Sequence, residues 1–232
     1  MSPPTSSDGL HLPPSADPIV PPDLTEGGNA WYEPPVRPVA GHGRYSVLAM
    51  DWTAPSIDFD WPNMASTSDP SPSQGKFETL PEAPLWRTNE PEPDDFAEVI
   101  HGATYTVSRR VLDVFLRHDP GSLKYQEVKI RFKDDAPSRR DHYWIHVTRR
   151  VPAIDFANSR VRYYWPSGSR PYPGDFGPVR LLPDAHAFPY FCTYHTGPNT
   201  IFISDEMHCD LLKIDPPLAH FVVRDVAGNV PF

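Results

Sequence analysis

The stretch His142-Tyr143-Trp144-Ile145-His146-Val147-Thr148, continued by Arg149 to Pro152 and then by Ala153-Ile154-Asp155-Phe156-Ala157-Asn158-Ser159-Arg160-Val161-Arg162-Tyr163-Tyr164, decides the fold. Its first seven residues are mostly aromatic or β-branched and include no Gly or Pro, the composition of a pleated, half-buried strand. Alternation sends Tyr143, Ile145 and Val147 to one face and His142, Trp144, His146 and Thr148 to the other. Bulky groups on both faces mark an interior strand. Upstream, Tyr125-Gln126-Glu127-Val128-Lys129-Ile130-Arg131-Phe132 alternates cleanly, with Val128, Ile130 and Phe132 on one side. The charged turn from Lys133 to Asp141 joins the two runs into an antiparallel hairpin. Downstream, Asp155 to Ser159 reads as a turn and Arg160 to Tyr164 as a further strand.

Two helices follow from capping and apolar spacing. Thr104 to Val107 is extended and ends at Ser108, a good N-cap. Val111, Leu112, Phe115 and Leu116 then form a helical apolar stripe, which Asp119-Pro120-Gly121 stops. Thr200 to Ile203 reads as a strand, and Ser204 caps a second helix from Asp205 to about Lys213, with Asp205 and Glu206 suited to its positive end. Arg44 to Trp52 reads as the first strand of the body. Pro55 to Pro62 reads as another, burying Ile57, Phe59 and Trp61 and exposing Asp58 and Asp60. Residues 63–75 are loop by composition, residues 77–86 hold a short extended piece, and residues 90–95 form an acidic turn. Residues 165–185, dense in Pro and Gly, read as a long loop. Phe188 to Tyr194 is extended, and Leu218 to Val223 closes the sheet. The expected fold is a single α+β domain over 41–232, with a mixed, mostly antiparallel sheet and few short helices.

Composition adds an arm and a charge asymmetry. Of 31 prolines, ten lie within the first 38 positions, so residues 1–40 are expected to be an extended or disordered Pro-rich arm. Residues 1–100 carry 16 acidic and 4 basic side chains, and residues 101–232 carry 14 acidic and 17 basic, within a net charge of −9. The acidic half disfavours nucleic-acid binding, which needs a basic footprint, and suits a basic partner. The start of the chain lacks the basic and apolar runs of a secretory signal, and no segment reaches the roughly 20 apolar residues of a membrane span. Two cysteines, Cys192 and Cys209, are too few for a disulfide framework. A cytoplasmic location is expected.

No constellation carries obvious chemistry. His142 and His146 lie roughly 13 Å apart along one strand, too far to share a metal. His186, His195, His208, Cys192 and Cys209 match no zinc spacing. Cys192 and His195 would stand roughly 10 Å apart in an extended segment. Asp58 with Asp60, and Asp94 with Asp95, are close in sequence, but glycoside chemistry requires carboxylates that face each other across a substrate. Gly41-His42-Gly43 lacks the rest of a dinucleotide fingerprint. No catalytic residue, metal or cofactor is therefore expected. Trp52, Trp61 and Trp86 lie among acidic residues and read either as core or as anchors of a protein-binding patch.

The order of elements resembles an immunity-protein family of bacterial polymorphic-toxin systems, of the myxobacterial type. The resemblance rests on Tyr45-Ser46-Val47-Leu48, on Tyr105-Thr106-Val107-Ser108 with Val111 to Leu116, and on Tyr143-Trp144-Ile145 with Val147. It continues through Ala153-Ile154-Asp155 and Ser159, Phe188 and Phe191, and Ile201 to Glu206. It implies a non-catalytic protein that binds and neutralises a cognate toxin. The acidic half is compatible with a basic toxin. The contact is expected on Asp58, Asp60 and Trp61, supported by Glu92, Asp94 and Asp95, with the 165–185 segment around Tyr172 and Asp175 as the next place to look. The rival classes are a small hydrolase using acidic or histidine residues, and a regulatory module acting through the Pro-rich arm.

Overall fold

The computed structural model describes residues 15–34, 45–50, 79–101, 105–194 and 200–225. The described strands are β1 (Asn29–Tyr32), β2 (Tyr45–Met50), β3 (Leu85–Arg87), β4 (Val99–His101), β5 (Tyr105–Ser108), β6 (Leu123–Arg131), β7 (His142–Val147), β8 (Arg150–Val151), β9 (Val161–Tyr164), β10 (Tyr172–Phe176), β11 (Tyr190–Thr193), β12 (Phe202–Ser204) and β13 (Phe221–Asp225). The described α-helices are α1 (Arg109–His118) and α2 (Asp205–Leu212). The fold is α+β in a single domain, and the described strands form three sheets.

The first sheet has the order β3-β6-β7-β5-β4, with β7 at its centre. β7 pairs antiparallel with β6, Leu123 opposite Val147 and Val128 opposite His142, and with β5 on its other side. This is the interior position expected for a strand with bulky groups on both faces. The second sheet has the order β13-β2-β12-β11-β8, and the third has β1-β9-β10. Two pairings are parallel, β3 with β6 and β8 with β11.

The central core gathers Ile145 and Val147 of β7, Val107 of β5, Leu48 of β2, Ile203 of β12 and the apolar stripes of both helices. Val111, Leu112, Val114 and Phe115 of α1 are fully buried there. The other face of β7 contributes Trp144 to a second cluster with Trp86, Phe96, Val128, Ile130 and Phe132. Trp86 is therefore core and not a surface anchor, whereas Trp52 and Trp61 lie outside the described residues.

Both helices start where their serines predict. The Ser108 hydroxyl accepts from Val111 N at 3.5 Å, and that of Ser204 accepts from Met207 N at 3.2 Å. Each such cap is worth about 1 kcal/mol. The Asp119 amide closes α1 on Phe115 O at 3.0 Å. His118 at the end of α1 meets Asp210 of α2 at 3.1 Å, tying the helices together.

The structure differs from the sequence reading in the 165–185 segment, which is not all loop. Residues 172–176 form β10, and the register slips between Pro173 and Asp175 around Gly174. Proline and glycine are tolerated in an edge strand at a bulge, so their density does not exclude pairing. The strand expected over 55–62 lies outside the described residues. Residues 15–34 lie against the body. Ser15 O accepts from Phe156 N at 2.8 Å, Leu24 is buried beside Ile154 and Tyr163, and residues 29–32 add β1 to β9.

Candidate functional site

The acidic turn is held in an arginine network. Glu92 accepts from the Ser138 hydroxyl at 2.9 Å and from Arg139 Nε at 3.0 Å, and Asp94 accepts from Arg139 Nη1 at 2.9 Å. Asp95 faces His220 Nε2 at 3.0 Å. The hydrogen bond from His220 holds the Asp95 carboxyl below its ordinary range. Three residues on, Glu98 is fully buried and meets Arg110, with Arg140 Nε at 3.7 Å. Of the expected contact residues, the structure thus gathers Glu92, Asp94 and Asp95 beside Arg139 and His220. Asp94 has a fully exposed side chain, whereas that of Glu92 is only 10% exposed. Asp58, Asp60 and Trp61 lie outside the described residues. The sequence could not show these partners, since Arg139 lies more than 40 residues from the acids it holds.

His142, His146 and Cys192 are buried in the fold. His142 is buried, its Nδ1 3.1 Å from Arg140 O and its Nε2 3.3 Å from Ala97 O, with the Phe96 ring 5.1 Å away. Two carbonyl partners favour the charged ring, but burial acts more strongly and pushes the His142 pKa down. Burial also lowers His146, helped by Arg150 and Lys124, and lowers His208 against the pull of Asp205. Cys192 is fully buried and its thiol is pushed up to about 12, so at neutral pH it is not a thiolate nucleophile. Among the described residues, no three His, Cys, Asp or Glu side chains gather where a metal could be held. His195 lies outside those residues.

These shifts fix the sign of a pH dependence. An unfolded imidazole takes up a proton near pH 6.5, while His142, His146 and His208 in the fold resist protonation until lower pH. Within that window the unfolded chain binds more protons, so stability is full above about pH 6.5 and is lost as pH falls through the folded values. Urea denaturation should give a lower unfolding free energy near pH 5.5 than near pH 7.5. Replacing His142 by Gln should flatten part of that slope. A pH-independent free energy over this interval would contradict the assignment of a neutral His142.

The third sheet presents a second kind of surface. Val161 and Tyr163 of β9 are fully buried on its inner face, over Ile154 and Phe156. The alternate residues, Arg162 and Tyr164, point the other way. Trp31 stands opposite Arg162, and Tyr172 opposite Tyr164. Arg160 lies 4.0 Å above the Trp31 ring, and Arg162 lies 5.3 Å from the Tyr164 ring centre. The rings of Tyr164 and Tyr172 stack at 6.1 Å. Composition gave little sign of this face, because Trp31 lies more than 100 residues before its partner Arg162.

The described residues form an α+β body of three sheets and two α-helices, with His142, His146 and the Cys192 thiol buried in it. Residues 39–218 match the model of the Immunity protein family (Imm11). The chain belongs to that family, as the order of its strands and capped helices implied. The match spans β2 through α2, whereas β1 and β13 lie outside it. No curated protein matches the chain.

Proposed function

We propose that this member of the immunity family neutralises one cognate toxin of a bacterial polymorphic-toxin system, by direct contact and without catalysis. The family membership carries the reading. The state of the reactive side chains supports it, since the Cys192 thiol is buried and protonated and His142 is enclosed by backbone carbonyls. The framework also suits a binding role. Two helices and two five-stranded sheets close on one core, leaving edges and loops to vary with the partner.

The test is co-expression with the toxin encoded beside it. Growth should be restored, and the two proteins should co-purify as a stable complex. A neighbouring product that is not toxic, or protection without a complex, would refute direct neutralisation. Protection accompanied by turnover of a small molecule would favour an enzyme instead.

A further inference from the structure

We propose that the Arg150 side chain is a binding site for one carboxylate group, supplied either by an acidic side chain of the toxin or by a small free carboxylate. The site itself does not depend on the reading of the chain as a toxin binder; only the first of the two sources does.

Arg149 and Arg150 are neighbours in sequence with opposite circumstances. Arg149 Nη2 pairs with Asp119 at 2.9 Å, and its guanidinium carbon lies 4.4 Å from the Phe188 ring centre. Its charge is matched within the fold. Arg150 opens β8, the two-residue strand at the edge of the second sheet, and stands opposite Cys192 of β11. It is half-buried. Its Nη2 is enclosed by the protein without a hydrogen-bond partner, and among the described residues no carboxylate pairs with it. A guanidinium stays charged at any ordinary pH, so sinking it into the fold without a counter-charge costs free energy. A buried polar atom left unsatisfied calls for an occupant, either an ordered water or an ion.

Charge favours the ion. A water would fill the hydrogen bond at Nη2 but leave the charge of Arg150 unmatched, whereas an anion does both. Lys124 adds to the same field. It stands opposite His146 across the β6-β7 pair, and the charges of Arg150 and Lys124 both act on that buried ring. The class of anion follows from shape and stoichiometry. The parallel N–H donors of a guanidinium match the two oxygens of a carboxylate. A carboxylate brings one negative charge, equal to the one that is unmatched, whereas a phosphate group brings up to about two. Access exists, since Arg150 keeps part of its surface exposed and β8 is paired on one side only among the described residues. Seating both oxygens requires the fork to turn so that Nη2 leaves its enclosure, and no hydrogen bond holds it there.

The experiment titrates the full chain with sodium acetate, against sodium chloride at the same pH and ionic strength, and follows the Arg150 Nε–H and His146 ring signals by NMR. In the wild type both should shift and saturate, and the melting temperature should rise as acetate binds the folded state. Arg150→Met keeps most of the stem and removes the charge. It should lose the saturable His146 shift and the acetate-dependent rise, yet melt in chloride no lower than the wild type, because it gives up an unmatched charge. An arginine that only supports the fold would behave otherwise, so a marked fall in melting temperature or a failure to fold overturns the inference. So does an acetate response that is absent from the wild type or equal in the two proteins. Sodium phosphate saturating the site at lower concentration than acetate overturns the carboxylate class. The source is then read from binding of the purified, catalytically disabled toxin. A loss of at least tenfold in Arg150→Met, alongside the acetate response, assigns the carboxylate to the toxin. Unchanged toxin affinity assigns it to a free carboxylate. If the wild type binds no toxin, the functional reading fails, while the acetate titration still decides the site.

Discussion

Replacing Phe115 by alanine is expected to lower the unfolding free energy by about 3–5 kcal/mol, because it combines lost burial with a cavity that its surroundings cannot fill. Phe115 is fully buried on the inward stripe of α1, and its ring meets that of Tyr190 edge-on at 4.9 Å. Tyr190 belongs to β11 of the second sheet, and α1 follows directly from β5 of the first. The Tyr190 hydroxyl donates to Asp119 O just past the helix end. Its ring is therefore fixed from two directions and cannot swing into the space left by Phe115. Natural domains are stable by only about 5–15 kcal/mol, so this one change removes a large share of the total. Urea denaturation at neutral pH measures it directly, and the conservative Phe115→Leu should cost far less. A loss below about 1 kcal/mol would mean that α1 does not join the two sheets as described. In cells co-expressing the toxin, the alanine variant should protect less as temperature rises, since only folded protein presents a binding surface.

The same residue shows what sequence could reveal. The spacing of Val111, Leu112, Phe115 and Leu116 behind Ser108 specifies both a helix and its buried face, and the structure has both. The hairpin of β6 and β7 was equally legible, because its alternation differs between the faces and only one register buries Val128 and Ile130 with Trp144. What was not legible depends on partners distant in sequence. Nothing local distinguishes one sheet from three, since every strand has the same period of two. Val99 to His101 is too short to stand out, and it becomes a strand only by pairing with β5. Pro173 and Gly174 argue against a strand until the bulge opposite Tyr163 and Arg162 is seen. The sites behave alike. The acidic residues near position 94 were visible, but Arg139 and His220, which hold them, were not. Tyr172 could be named from its segment, yet its alignment with Tyr164, Arg162 and Trp31 comes from strand pairing alone.

The second large effect is expected at Arg110. Glu98 is fully buried, and Arg110 Nη2 meets its Oε1. Arg110 Nη1 also donates to Pro216 O at 2.7 Å, so one side chain ties α1 to both the segment before β4 and the segment before β13. Arg140 approaches Glu98 only to 3.7 Å through Nε, and its Nη1 is engaged with Phe96 O. Among the described residues, Glu98 Oε2 has no hydrogen-bond partner. Arg110→Met keeps most of the aliphatic stem and removes the charge. It leaves a buried carboxylate with a single, longer ion-pair partner, and breaking a buried pair from one side costs about 3–5 kcal/mol. The reverse change is gentler, because Arg110 is one-third exposed and water can solvate it once Glu98 is replaced by Leu. The double variant Glu98→Leu with Arg110→Met removes both charges together. Replacing a buried pair by apolar groups of similar volume is often close to neutral, so the double variant should be more stable than Arg110→Met alone. The cycle then reports a coupling well above the few tenths of a kcal/mol expected of independent sites. Chemical denaturation of the four proteins gives all of these terms. A single variant as stable as the wild type, or a double variant less stable than Arg110→Met, would show that Glu98 is not held by Arg110.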